Sequence, residues 1–292
     1  MSTMKMTITI LAENTVSKSG LIGEHGFSVL IERGDEKYLF DTSPGASLPH
    51  NIKRLDKNLN GLNKIIISHG HYDHTGGLKW AIEQTGEIEV VAHPDMFCEH
   101  MALKNKFEFQ NSNFKMPVDE VPRYVGCPHT RKELEGLGAC FNFIDHTHEI
   151  APGLWFITDT ERDPELVPND FRLVIPEGEY FAPDLIKDDA TLLIEGEKSP
   201  ILILGCAHSG ILNILNYVRE EMKISELTAV MGGTHLMYSE TKDIPRIIDT
   251  LEGFSIDLIG VSHCTGMKAA VELAKHFGDR FEMASAGTVF NF

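Results

Sequence analysis

Apolar residues fall along this chain in short blocks separated by turn residues. Met6 to Leu11 alternates in the way of a strand covered mainly on one face. Phe27-Ser28-Val29-Leu30-Ile31-Glu32 and Lys37-Tyr38-Leu39-Phe40-Asp41 read as two more strands. Arg33-Gly34-Asp35-Glu36 between them is turn material, so the two pair as a hairpin. Asn51 to Leu59 has a helical pattern. Lys64-Ile65-Ile66-Ile67-Ser68 is a short β-branched run, the mark of a buried strand. A helix over about Leu78 to Gln84 and a strand over Ile88 to Ala92 follow.

Residues 95–180 are less regular and hold Pro117, Pro122, Pro128, Pro152, Pro164, Pro168 and Pro176. No independent run of strands and helices is expected there. An insertion covering a site is, because long irregular segments in compact proteins tend to be lids or binding loops. The chain, 1–292, is expected to fold as one domain.

Regularity returns at Ala190. Thr191–Glu195 and Pro200–Leu204 flank a turn as a second hairpin. A helix over Ile211–Met222, a strand over Leu227–Met231, a helix over Thr241–Glu252 and a strand over Ile256–Val261 come next. A helix over Met267–Phe277 and a strand near Phe281–Ala286 close the chain. Each half places a hairpin before strand–helix alternation. Two sheets packed face to face between outer helices satisfy that order, an αββα sandwich of the α/β class.

Histidines recur just past these buried strands, in His69-Gly70-His71-Tyr72-Asp73-His74 and at His208, His235 and His263. Strand ends on one rim lie close in space, so these loops converge. Divalent cations take imidazole nitrogen and carboxylate oxygen at about 2.0–2.2 Å. Residues two apart in an extended loop point the same way, so His69 and His71 can grip one ion. Asp73 and His74, further round the turn, suit a second. One or two zinc ions are expected, with iron or manganese compatible with the same donors. His235 reads either as a catalytic residue, binding substrate or moving a proton, or as a hydrogen-bonded structural histidine. His25 is a weaker candidate of that kind. His93 is expected to be structural. His50, His100, His129, His146, His148 and His276 are expected on the surface or in loops, and Cys264 in packing.

His69-x-His71-x-Asp73-His74-x-Gly76-Gly77 resembles the metal signature of the metallo-β-lactamase superfamily, and Asp41 in Leu39-Phe40-Asp41-Thr42 matches its first motif. The resemblance covers the whole chain and implies that superfamily's sandwich. Gly23-Glu24-His25-Gly26, Gly205-Cys206-Ala207-His208-Ser209-Gly210, Gly232-Gly233-Thr234-His235-Leu236 and Ser262-His263-Cys264-Thr265-Gly266 look like one branch of it. That branch includes the 7,8-dihydropterin-6-methyl-4-(β-D-ribofuranosyl)aminobenzene-5′-phosphate synthases of methanopterin biosynthesis and many predicted metal-dependent hydrolases.

The resemblance implies one metal at His69, His71 and a third ligand, and a second at Asp73, His74 and His263. Most relatives place a His before the late hairpin and a bridging Asp after it. Here those positions read Asp188-Asp189-Ala190 and Gly205-Cys206. His208 is the expected third ligand, with Cys206 or Asp189 as alternatives. The superfamily implies hydrolysis of an ester or phosphoester by metal-activated water, with Asp73 orienting that water. The branch implies instead condensation of a dihydropterin methyl diphosphate with an aminobenzene ribotide phosphate. A non-catalytic or redox metal protein is the third reading. The expected partner is a small anionic or pterin-like substrate.

Charge and composition narrow this further. Asp and Glu number 43 against 26 Lys and Arg, a formal −17. Such a chain repels polyphosphates, so no nucleic-acid partner is expected. Bound cations would cancel part of the charge. No apolar run approaches 18 residues, so no membrane partner is expected either. Five cysteines, none paired at CxxC spacing, speak against a disulfide framework and for the cytoplasm. A homo-oligomer is compatible with all of this.

Overall fold

A computed structural model describes residues 5–104, 122–168, 170, 172–178, 180–239 and 243–292. Pro117 and the expected helix start at Thr241 lie outside the described residues. The first half runs β1 (Met6–Ala12), β2 (Ser28–Arg33), β3 (Glu36–Phe40), α1 (Ser47–Arg54), β4 (Lys64–Ile66), α2 (Tyr72–Thr75), α3 (Leu78–Thr85) and β5 (Ile88–Ala92). Short strands β6 (Met101–Ala102) and β7 (Arg123–Tyr124) precede α4 (Arg131–Leu137), β8 (Ala139–Phe143), β9 (His148–Ala151) and β10 (Leu154–Ile157). Then come β11 (Leu173–Glu177), β12 (Tyr180–Pro183), β13 (Thr191–Ile194), β14 (Ile201–Leu204), α5 (Ile211–Glu220), β15 (Ala229–Gly233) and α6 (Ile244–Glu252). β16 (Leu258–Ser262), α7 (Met267–Phe277), β17 (Phe281–Met283) and β18 (Val289–Asn291) complete the chain.

Two seven-stranded sheets result, β18-β1-β2-β3-β4-β5-β8 and β17-β16-β15-β14-β13-β10-β9. Each begins with antiparallel pairs and continues in parallel: β3, β4, β5 and β8 in one, β14, β15, β16 and β17 in the other. Ile8, Val29, Ile31 and Phe40 of the first sheet join Phe156, Leu192, Ile203 and Met231 of the second in one buried cluster. Leu30 and Leu39 face the other way, onto Leu48 of α1 and Leu78 of α3. The outer face of the second sheet meets α5, α6 and α7 through Leu215, Ile247 and Leu273. Four layers, helix–sheet–sheet–helix, therefore bury the central strands on both faces, which is why they read as unbroken apolar runs.

Three differences from the sequence reading have local causes. The first helix begins at Ser47, ahead of Pro49, instead of at Asn51. Proline is tolerated in a first turn because its missing N–H would be unpaired there anyway. Within residues 95–180, α4, β8, β9 and β10 belong to the sandwich itself. β8 alternates buried and outward positions in the manner of a half-covered edge strand, so its signal is weak. β18 pairs with β1 through the backbone and carries little apolar pattern. A separate antiparallel sheet, β12-β11-β6-β7, stands outside the two, and its Ala102, Arg123 and Leu173 line a cavity together with His71 and His208. No helix among the described residues is long and apolar enough to cross a membrane.

Candidate metal centre

The carboxyl ends of β3, β4, β14, β15 and β16 meet at one rim. Asp41, His235 and His263 follow their strands directly or within two residues and take left-handed backbone, with φ of 57°, 54° and 51°. That conformation costs an L-residue about 1–2 kcal/mol and persists only where the surroundings enforce it. Here it turns each side chain back over the rim. Close approach of backbone does the same elsewhere. A Cβ on Gly205 would stand 2.2 Å from Ser68 Oγ, and one on Gly70 2.2 Å from the Met96 carbonyl oxygen.

Asp41 is the buried anchor. Its Oδ1 accepts from the Ser68 N–H at 2.7 Å, and its Oδ2 from Ser68 Oγ at 2.7 Å and from His74 Nδ1 at 2.6 Å. These bonds fix tautomers. Ser68 gives its one hydroxyl hydrogen to Asp41, so at 2.9 Å it accepts from His69 Nδ1–H. His69 is left with a bare Nε2, and His74 keeps its Nδ1–H on Asp41 with Nε2 turned inward. At the far side His263 Nδ1 donates to Asn14 Oδ1 at 3.0 Å, and its backbone N–H to Glu13 Oε1 at 2.6 Å. His263 Nε2 is therefore also bare.

The inward-turned ring nitrogens crowd together. His69 Nε2 stands 3.0 Å from His71 Nδ1, and His74 Nε2 3.3 Å from His263 Nε2. Asp73 Oδ2 lies 3.4 Å from His263 Nε2 and 4.0 Å from His74 Nε2. His71 Nε2 and His208 Nε2 are buried without a hydrogen-bond partner. Donor atoms of His69, His71 and His208 fall within 4.8 Å of one another, as do those of His69, His74 and Cys206, and of His25, Asp73 and His263. Inward-turned imidazole nitrogens with a carboxylate among them are a donor set that divalent metals accept. The His, Asp and Cys groups present could hold such an ion.

The family profile described as the metallo-β-lactamase superfamily matches residues 21–215. This chain belongs to the metallo-β-lactamase superfamily. An uncharacterized protein of Methanocaldococcus jannaschii is 32% identical to this superfamily member over 92% of the chain and 94% of its own length. The 7,8-dihydropterin-6-methyl-4-(β-D-ribofuranosyl)-aminobenzene-5′-phosphate synthase of the same organism is 29% identical over 92% and 90%. The metallo-β-lactamase sandwich is also that of Tm1679, a metal-dependent hydrolase of the β-lactamase superfamily. Its crystal structure superposes with a TM-score of 0.80 at 24% identity and 98% coverage of both chains.

Electrostatics in this metallo-β-lactamase rim suit cation binding. Burial and the neighbouring imidazoles hold His69 and His208 well below the ordinary histidine value, and burial with His100 pushes His71 down to about 4. All three are neutral at pH 7, the ligating form. Burial would raise Asp73, but His263 and His74 hold it well below the carboxylate range, so it is ionised. Burial would lower His74, yet Asp41 lifts it to about 9. A cation there would displace that proton.

Some residues stand apart from the sequence reading. His100, expected on the surface or in a loop, lies in a loop and is buried. Its Nδ1 donates to Asp184 Oδ2 at 2.6 Å, its Nε2 lies 3.6 Å from Asp188 Oδ2, and its ring centroid is 5.1 Å from that of His71. Burial would lower it, but the two carboxylates raise it to about 10. Asp188 also accepts from the Gly70 N–H at 2.5 Å. Asp189 turns away to accept from the Ser209 N–H at 2.8 Å and joins none of the donor groups. His25 accepts from Asn14 at 3.4 Å through Nδ1, which leaves its Nε2–H 3.3 Å from Asp73 Oδ2. His93 caps a short turn at Asp95. His235 sits buried beside Cys264, its Nε2 4.0 Å from Asp170 Oδ2.

Proposed function

We propose that this chain is a metal-dependent hydrolase cleaving an ester or phosphoester bond in a small anionic substrate. The observation that supports it most is the convergence of the His74 and His263 ring nitrogens on Asp73, with His71 Nε2 and His208 Nε2 buried and unpartnered alongside. One ion would be held by His69, His71 and His208, and a second by Asp73, His74 and His263. Zinc is the first choice, iron or manganese the alternatives. Bound there, such ions supply Lewis acidity toward the scissile oxygen and toward water.

The chain's own groups supply the rest. Asp73, held ionised, orients water toward the bond to be broken. A cavity of ≈ 330 Å³ opens over the histidines, and Arg123 and Arg172 line it together with Asp73 and Asp170. Arg123 lies over the Tyr72 ring, 5.6 Å from its centroid, and Arg172 is held by Asp170 at 2.8 Å. A second cavity of ≈ 850 Å³ shares Asp170, Leu173 and His208 with the first. An elongated substrate would set its anionic, reacting end at the histidines and its body under Val167, Pro168 and Leu185. A panel of phosphoesters and esters, assayed with zinc-loaded, chelator-stripped and His71→Ala protein, tests this. Activity should fall to background in the last two, and full activity in stripped protein rejects the reading.

Transfer is the second reading, favoured by the 29% identical synthase and by Cys206 standing where most relatives bridge with Asp. Pyrophosphate release from a dihydropterin methyl diphosphate and an aminobenzene ribotide phosphate supplied together supports it. No release leaves hydrolysis.

A further inference from the structure

One group of donors lies beyond the two ligand sets proposed above. Cys206, past β14, and Cys264, past β16, are both buried, and His235, past β15, sits with them. Their sulfur and ring-nitrogen atoms all fall within 4.8 Å of one another. Two sulfurs across a tetrahedral zinc stand about 3.8 Å apart, given Zn–S near 2.3 Å. The three side chains are thus close to the spacing one ion requires.

Packing alone accounts for the thiols but leaves the histidine unexplained. Cys264 Sγ accepts from the His235 backbone N–H at 3.3 Å and reaches the Cys206 carbonyl at 3.4 Å, so it is satisfied as an ordinary buried thiol. The His235 ring is less well satisfied: both nitrogens are buried without a full hydrogen bond, and Nε2 lies 4.0 Å from Asp170 Oδ2. Its backbone is held left-handed, φ 54°, which keeps the ring over the thiols. Gly233 makes room for the arrangement, since a Cβ there would stand 2.7 Å from Cys264 Sγ. Cys206 Sγ also lies 3.2 Å from His74 Nε2 and belongs to the His69–His74–Cys206 group, so it touches both clusters.

We infer that Cys206, Cys264 and His235 form a sulfur-rich cation position joined to the histidine cluster through Cys206, selective for zinc, cobalt(II) or iron(II) over magnesium and manganese. Thiolate donors favour the softer ions. On binding, each thiol forms a sulfur–metal bond and releases its proton to solvent, with no change of oxidation state. His235 is then a ligand, where the sequence left it between a substrate-binding or proton-moving residue and a structural histidine.

The test is spectroscopic and needs no substrate. The stripped full chain is equilibrated with cobalt(II), and its bound metal and near-ultraviolet spectrum are measured. A sulfur-to-cobalt charge-transfer band is expected in the unmutated protein, weakened by about half in Cys264→Ser and absent in the Cys206→Ser/Cys264→Ser pair. The pair should also bind one cobalt fewer. Manganese should leave this position empty. Cobalt bound at the histidines with no charge-transfer band overturns this inference and leaves the hydrolase reading standing. Failure to bind any cobalt overturns both. The unmutated spectrum decides even if a serine variant fails to fold.

Discussion

His74 and His263 direct Nε2 atoms at each other across 3.3 Å, each held in that pose through its other nitrogen, by the Asp41 carboxylate for His74 and the Asn14 amide oxygen for His263. Burial would lower His74, but Asp41 lifts it to about 9, so at pH 7 it carries a proton on Nε2 that points at His263. A cation between them would displace that proton, so metal and stability should be linked. Zinc at a thousandfold excess over its dissociation constant should stabilise the stripped protein by about 4 kcal/mol. Differential scanning calorimetry would show this as a melting temperature raised by several degrees. An unchanged melting temperature over the whole zinc titration would sink the idea.

Asp41 should be the costliest polar residue of the rim to remove. Asp41→Ala strands the Ser68 N–H and the His74 Nδ1–H in a dry site, an expected loss of about 3–5 kcal/mol. Asp41→Asn keeps one acceptor and should lose about 1–3 kcal/mol. Urea unfolding of the two variants gives the ranking, and equal midpoints would show that the anchor is dispensable.

Two glycines make a paired test of backbone fit. Gly70→Ala puts a methyl against the Met96 carbonyl, whose backbone cannot swing aside, and should destabilise by about 1–3 kcal/mol. Gly136, inside α4, has nothing within 4 Å of its Cβ direction, so Gly136→Ala should stabilise by about 0.5–1 kcal/mol. Opposite signs in denaturant midpoints are the expected result.

Glu89 gives a pH signature remote from the rim. Partial burial would raise its carboxyl, but hydrogen bonds from Lys64 and Asn142 hold it below its ordinary 4.5. A carboxyl depressed in the folded state contributes stability above its ordinary value and loses it as pH falls through the folded one. Lys64→Met should flatten that part of the acid stability curve, by roughly 0.5 kcal/mol for a partly exposed pair. Parallel curves for the two proteins below pH 4.5 would show that the pair contributes nothing.

Sequence legibility followed burial and chain distance. Ile88–Ala92 and Met267–Phe277 have the bounds their patterns indicate, because a doubly buried strand and an amphipathic helix carry their signal within themselves. His100 carried none. Its burial comes from Asp184 and Asp188, more than eighty residues on, and no local period reports such a contact. Glu13 and Asn14 went unread for the same reason, since they hold His263 from the far end of the chain. Cys264 was legible only as a small apolar residue. Its place beside His235 and Cys206 appears once β14, β15 and β16 are aligned in parallel.

The left-handed tip at His235 sets two selective pressures against each other. Glycine there would relieve the backbone and remove a buried imidazole at once. Laboratory evolution toward heat resistance without an activity screen should therefore drift to this residue early. Natural lineages that kept the sandwich but abandoned the chemistry would be expected to have lost this histidine first.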